Sequence, residues 1–315
     1  MAEVVLCAEG LTKSYGPLKA VDGLGLEIYE GEVFGFLGPN GAGKTTSINM
    51  MCGLLRPDEG RVLVHGVTIA EGDADVRARV GVCPQDVVLW DRMTCIEQLQ
   101  FMGEMYGMSG GEARRRGEVL LEEFDLTEKR NAQGRTLSGG MRRRLNLVMA
   151  LIHDPEIVVL DEPEAGLDPQ TRVKVREYIQ SLARQKTIIL TTHNMDEADR
   201  VANRVAIIDH GKLLALDTPE ALKRRVGEGS VVEISIIGGD TEANRAQEAL
   251  LDLGEGATVD VTEGSLHVRA FNAHALIPAI MERLMAQGVT CGEVRIRENT
   301  LEDVFIQLTG RRLRS

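Results

Sequence analysis

The chain has 315 residues, 43% of them hydrophobic and 27% charged, a globular balance with enough apolar side chains for a core. A formal net charge of -12 disfavours non-specific binding to phosphate backbones, and aromatics at 3% leave few faces on which single-stranded nucleic acid could stack. The five cysteines are scattered with no CxxC pair, which argues against a disulfide framework or a zinc site and fits a reducing compartment.

The N-terminus, MAEVVLCAEG, lacks the basic and long apolar stretches of a signal peptide. The most apolar run, Leu145 to Ile152, is interrupted by Asn146 and falls far short of the ~20 residues that span a bilayer, so any membrane crossing is expected to fall to a partner. Tyr15, in LTKSYG, offers a ring on which a base could stack. The run VFGFL, Val33 to Leu37, is apolar on successive residues, as suits a strand buried on both faces. It leads into Gly38, Pro39, Asn40, Gly41, Ala42, Gly43, Lys44, Thr45 and Thr46, then into a helical pattern carrying Ile48, Met51, Cys52 and Leu55. This is GxxxxGK[ST] between a strand and a helix. The glycines let backbone N–H groups converge on phosphate oxygens at the positive end of the helix. Lys44 would reach the β- and γ-phosphates, and Thr45 would offer its hydroxyl to Mg2+.

Gln85, in VCPQD, stands at the exit of the next apolar run. From Asp86 to Arg135 there are few strand signals, several helical stretches and a turn cluster at GMSGGE, which predicts a mostly helical insertion in the α/β body. LSGGM, Leu137 to Met141, opens a helix on which Met141, Leu145, Val148, Met149 and Ile152 recur at helical spacing. Ser138 fits an N-cap, while Gly139 and Gly140 leave backbone N–H groups open to an anion. The triplet Arg142, Arg143 and Arg144 reads mostly as a solvated face of that helix.

IVVLDEP, Ile157 to Pro163, is a buried strand ending in two carboxylates, where strand ends open onto a ligand crevice. Asp161 can hold a metal through water and Glu162 can polarise an attacking water, though by themselves two acids after an apolar run are an ordinary loop start. The strand TIIL, Thr187 to Leu190, runs to His193 in TTH, and VAII, Val205 to Ile208, supplies another strand. A lone histidine is more often structural than catalytic. After about Val226 the pattern changes. Strand alternation at Val232, Ile234 and Ile236, a helical stretch, two short alternating runs, a helix from Ala273 to Leu284 and a strand at Val294 and Ile296 give βαββαβ, the order of ferredoxin-like modules.

In this order, the phosphate loop, Gln85, the SGG helix, the Asp-Glu strand end, GLDP and His193 resemble the ABC ATPase cassette, over roughly Val4 to Val226. The resemblance implies an α/β P-loop ATPase fold with a helical signature subdomain at about 86–155, a nucleotide-binding domain over 1–225 and an accessory module over 226–315. It implies ATP and Mg2+ as cofactors, with Tyr15 stacking on adenine, the loop from Gly38 to Thr46 binding phosphates, and Thr45, Gln85 and, through water, Asp161 serving the metal. Glu162 would be the general base and His193 would contact the γ-phosphate. Asp168 in GLDP would signal between subunits, and Ser138, Gly139 and Gly140 would close over the ATP of a second copy or paralogue. Gln85 would also meet a membrane permease, the only route by which the chain would join the cytoplasmic face of the membrane.

Two positions depart from the family's pattern. Met141 stands where Gln is commonest after SGG, and Glu164 stands before AGLDP where a small hydroxyl residue is usual. A further carboxylate near a triphosphate is electrostatically awkward, which predicts slow turnover unless a cation, such as one of the three arginines, answers it. The segment RENTLEDVFIQLTGRRLR resembles the C-terminus of daunorubicin-resistance-type exporter cassettes, as do GVCPQD and LSGGM. Taken alone, Leu301, Val304, Phe305 and Leu308 form an apolar helix stripe that any fold would bury. The competing class is a soluble ABC ATPase acting on nucleic acid or ribosomes, which the acidic charge and the single cassette disfavour.

Overall fold

The computed structural model describes residues 3–69, 74–225, 230–238, 240–250, 253, 257–262, 265–270 and 273–310. The chain divides into two compact units between Pro219 and Glu220. The first begins with β1 (Val4–Tyr15), β2 (Leu18–Tyr29), β3 (Val33–Leu37), α1 (Lys44–Met51), β4 (Glu59–Val64), β5 (Val67–Thr68), α2 (Ala74–Arg77) and β6 (Val80–Cys83). Next come α3 (Cys95–Met105), α4 (Gly110–Glu123) and α5 (Gly139–Leu151), the expected helical stretch. The unit continues with β7 (Ile157–Asp161), α6 (Pro169–Leu182), β8 (Thr187–Thr192), α7 (Met195–Val201), β9 (Arg204–Asp209) and β10 (Lys212–Asp217).

Two sheets result. One is six-stranded in the order β10-β9-β3-β8-β7-β6, parallel from β9 to β6. Its apolar runs serve two cores at once, because successive side chains of a strand point to opposite faces. Ile157 and Val159 of β7 join Phe34, Phe36 and Ile48 on one side, while Val158 and Leu160 join Ile96, Leu99 and Leu145 of the helical stretch on the other. Helix α5 lies hard against β6: a Cβ on Gly81 would stand 2.2 Å from the Ala150 carbonyl oxygen. Only glycine permits that approach.

The other sheet is antiparallel, in the order β2-β1-β4-β5. Both of its long strands lie before Val33, where no apolar run marks a strand in the sequence. The signal is the alternation of Leu24, Leu26 and Ile28 on β2, all buried while Gly25 and Glu27 between them are exposed. Glycines at 10, 16, 23 and 25 obscure it, since glycine is a poor strand residue.

The second unit contains α8 (Pro219–Arg225), β11 (Ser230–Ile237), α9 (Asp240–Ala249), β12 (Thr258–Thr262), β13 (Ser265–Ala270), α10 (Ala273–Ala286), β14 (Thr290–Glu298) and α11 (Leu301–Thr309). Its sheet has the order β12-β13-β11-β14, with every neighbouring pair antiparallel. The βαββαβ order is present, with Val232, Ile234 and Ile236 of β11 sharing a core with Ile280 and Leu284 of α10. The boundary expected at Val226 falls within 226–229, outside the described residues, as do residues 311–315 of the C-terminal motif. The observed division lies earlier and assigns α8 to the second unit. A seven-residue helix is too short for its apolar spacing to show which core it joins.

In α11, Leu301, Val304 and Phe305 are buried and Leu308 is exposed. Thr300 and Asp303 cap this helix reciprocally. Burial alone would raise the Asp303 carboxyl, but Arg297, bound at 2.6 and 3.0 Å, and the Thr300 N–H at 2.8 Å outweigh it and hold the group at about 2. An unfolded aspartate titrates near ~3.9, so below that pH the unfolded chain takes up more protons than the folded one. The stabilisation is complete above ~4 and lost as pH falls through about 2. Asp303→Asn is expected to cost the second unit about 2 kcal/mol at neutral pH. In urea melts at a series of pH values, the gap from wild type should close between ~4 and ~2.

Candidate active site

Strands β3, β8, β7 and β6 are neighbours, all parallel, so their carboxyl ends open on one edge of the sheet. The loops leaving those ends carry Lys44, His193, Glu162 and Gln85 respectively. The loop after β3 turns through Gly41 and Gly43 at φ 79° and 100°, and a Cβ on Gly43 would stand 2.2 Å from the Ala20 carbonyl oxygen. Gly43 is the N-cap of α1 and has no side chain to cap it, which leaves the first N–H groups of the helix available to an anion.

Lys44 is buried, and its amino group donates to the carbonyls of Gly38 at 2.8 Å and Pro39 at 3.2 Å. It stands 3.9 Å from the Glu162 carboxylate. Burial lowers the Lys44 pKa, while the nearby Glu162 and Asp161 carboxylates oppose the shift. Glu162 is itself buried and also meets Gln85 Nε2 at 3.5 Å and His193 Nδ1 at 2.9 Å. Its backbone is left-handed at φ 45°, uncommon for a residue with a Cβ, and its N–H donates to the Thr191 carbonyl and hydroxyl oxygens at 3.1 and 3.0 Å. Thr191 Oγ1 also donates to Asp161. Lys44, Gln85 and His193 thus converge on one carboxylate, a cluster that burial would make costly unless the charges answered each other.

A cleft of about 450 Å³ gathers Tyr15, Asn40, Gly41, Gly43, Lys44, Thr45, Thr46, Gln85 and Glu162. Leu18, Lys19, Ala20, His210 and Gly211 also line it, and no motif in the sequence marks those five. Ser138, Gly139, Gly140 and Asp168 do not line it. Ser138 caps α5 by accepting from the Met141 N–H at 3.3 Å, and it and Gly139 are exposed. Asp168 caps α6, accepting from the N–H groups of Gln170 and Thr171 and from the Thr171 hydroxyl.

Two expectations are corrected. The arginine triplet is not a solvated face. Arg143 is buried among backbone carbonyls, Arg144 donates to the Phe124 carbonyl at 2.9 Å, and Arg142 reaches Asp91 at 3.3 Å. Helical spacing places all three beside elements packed on α5, which a one-dimensional charge run cannot show. Nor do they answer Glu164. That carboxylate is buried and held by Arg176 of α6, whose Nε and Nη2 donate at 3.3 and 2.9 Å. Its charge is balanced within the chain, which removes the electrostatic ground for slow turnover.

Comparison with known proteins follows the same lines. Residues 21–165 match the family model described as ABC transporter. The chain is 35% identical to the linearmycin resistance ATP-binding protein LnrL of Bacillus subtilis (strain 168), covering 98% of this chain and 100% of that one. It is 38% identical to the daunorubicin resistance ATP-binding protein DrrA2 of Streptomyces coeruleorubidus, covering 97% and 95%. It is 40% identical to the Nod factor export ATP-binding protein I of Ralstonia nicotianae, covering 98% and 95%. Among solved structures, the dimeric post-hydrolysis state of an ATP-binding cassette bound to ADP and Pi superposes with a TM-score of 0.62 at 27% identity, over 68% of this chain and 98% of that one. The relatives therefore span both units, while the solved cassette accounts for about the length of the first.

The Glu164–Arg176 pair gives a stability test. Arg176→Met leaves a buried carboxylate without its partner and should cost about 3 kcal/mol. Adding Glu164→Gln should recover most of that loss, as read by urea melts of the single and double variants.

Proposed function

The chain belongs to the ABC transporter family as an ATP-hydrolysing subunit, and from that premise we propose that it powers export of a drug-like or other hydrophobic compound through a separate membrane permease. The convergence of Lys44, Gln85 and His193 on Glu162, at the edge of a cleft that also holds Tyr15 and the phosphate loop, carries this reading. Tyr15 stacks on the base. The glycine loop cradles the phosphates, and Lys44 moves from the Gly38 and Pro39 carbonyls to the β- and γ-phosphates. Glu162, freed from Lys44, takes a proton from the attacking water, with His193 and Gln85 beside it.

Thr45 and Gln85 would hold Mg2+ by side-chain oxygens and Asp161 would hold it through a water, an oxygen set of the kind this ion takes. Bound there, the ion would offset the charge of the triphosphate. Ser138, Gly139 and Gly140 lie outside their own chain's cleft and close over the nucleotide of a second copy or paralogue, so that ATP joins two subunits and hydrolysis parts them.

Among the described residues no helix is long and apolar enough to cross a membrane. A cavity of about 860 Å³ near Gln85 is lined by Leu54, Pro84, Val88, Trp90 and Met105, and the side chains of Leu54, Val88 and Met105 are more than half exposed. A surface of this kind suits burial against a partner. We assign it to a cytoplasmic segment of the permease, and on this proposal the chain works at the cytoplasmic face of the membrane. The second unit, which begins at Glu220, serves as an accessory module that supports assembly, since the motifs of phosphate chemistry all precede it. The named relatives act in resistance and export, so a role on nucleic acid or ribosomes is not favoured.

Glu162→Gln preserves shape but removes the base, and should lower ATP turnover about 10²- to 10⁴-fold with Mg-ATP binding retained. Size-exclusion chromatography with Mg-ATP should show this variant moving toward a dimer, and a further Ser138→Arg should abolish the shift. Wild-type turnover in Glu162→Gln defeats the mechanism. For the docking surface, Trp90→Asp should reduce co-purification of a polytopic membrane protein while leaving Mg-ATP affinity within about twofold, since Trp90 is not in the nucleotide cleft.

A further inference from the structure

Arg143 sits on α5, five residues beyond the N-cap Ser138, with 2% of its surface exposed. A guanidinium has five N–H donors in one plane. Here all five are used, and every acceptor is a backbone carbonyl. Nε donates to Pro163 at 3.1 Å, and Nη2 donates to Asp161 at 2.9 Å and Glu162 at 3.0 Å. Nη1 donates to Pro84 at 2.7 Å and Gln85 at 3.0 Å. Asn146, one turn further along α5, reaches the same Pro84 carbonyl at 3.4 Å.

These carbonyls belong to the loop after β6 and to the end of β7 with the turn that follows it, the two segments that bring Gln85 and Glu162 to the cleft. The left-handed turn at Glu162 is unfavourable for a residue with a Cβ and persists only where its surroundings hold it. The guanidinium collects the carbonyls of 161, 162 and 163 on one side of that turn, while the Glu162 side chain points to Lys44, Gln85 and His193. The same plane holds the backbone of Gln85, and it rides on the helix that begins with the signature residues.

We propose that Arg143 is a positioning residue for hydrolysis: it fixes the turn that aims Glu162 and couples that turn to the Gln85 loop and the signature helix. The proposal rests on Glu162 being the general base. A shift of α5 or of the Gln85 loop then moves the Glu162 turn with it, so the carboxylate is correctly placed only when both are in position.

The test uses single-turnover hydrolysis of Mg-ATP by the full chain. Arg143→Lys keeps the charge, but a single ammonium cannot span two loops as the planar fork does. Its single-turnover rate constant should fall about 10- to 100-fold while the Mg-ATP dissociation constant stays within about threefold, because the phosphate loop is untouched. In a Glu162→Gln background the same change should alter the residual rate less than about twofold, since no base is left to aim. A multiplicative loss in that background, or an unchanged single-turnover rate in Arg143→Lys alone, overturns the proposal. Wild-type turnover by Glu162→Gln would instead remove the base on which the proposal rests, so the two failures are distinguishable. A second readout needs no substitution: in the wild-type chain, nucleotide should slow amide hydrogen exchange at Gln85 and at Glu162 together. Protection confined to one loop overturns the coupling.

Discussion

Lys44 and Glu162 bring opposite charges into a site that excludes most water, 3.9 Å apart. Taking a charge out of water costs several kcal/mol when nothing answers it, and here each group lies within reach of an opposite charge. Holding both requires strands that end side by side, and the parallel sheet provides this. The β3 and β7 ends are separated only by β8, which brings His193 between them, and β6 adds Gln85 from the other side. The double-sided burial of β7 follows from the same requirement. A strand that ends in two acids must be rigid up to its last residue, and Ile157 through Leu160 are wholly buried between two cores.

Much of this was legible in the sequence because the chemistry is local. A glycine loop, a strand ending in acids and a capped SGG helix each need their residues at adjacent positions, so a linear string records them. The βαββαβ order of the second unit was legible for a related reason, since Val232, Ile234 and Ile236 alternate cleanly over a single core. The N-terminal antiparallel sheet was not, because its alternation is broken by glycines and by register shifts at four places along the β1–β2 pairing. The lining of the cleft by Ala20, His210 and Gly211 was also hidden, since β2 and the β9–β10 turn meet there only through the fold.

The arginines show where a linear reading stops. Arg142, Arg143 and Arg144 look alike as a charge run, yet their three directions around α5 meet an acidic side chain, a set of loop carbonyls and the end of α4. Glu164 looked like an excess negative charge because its partner, Arg176, lies twelve residues away on the next helix. In both cases the deciding fact is which buried group lacks a partner, and burial is a property of the fold. Met141 is less consequential. It packs partly buried against the helical core, and the backbone of the SGG turn is capped as expected.

Tyr15 has 51% of its surface exposed at the mouth of the cleft, beside Leu18, Lys19 and Ala20. On the proposed reading it meets the base by its ring face. A face carries no pattern of donors and acceptors, so the ring by itself grips any flat heterocycle and does not read the edge that distinguishes adenine from guanine. The grip that matters is on the triphosphate, which the two purine nucleotides share.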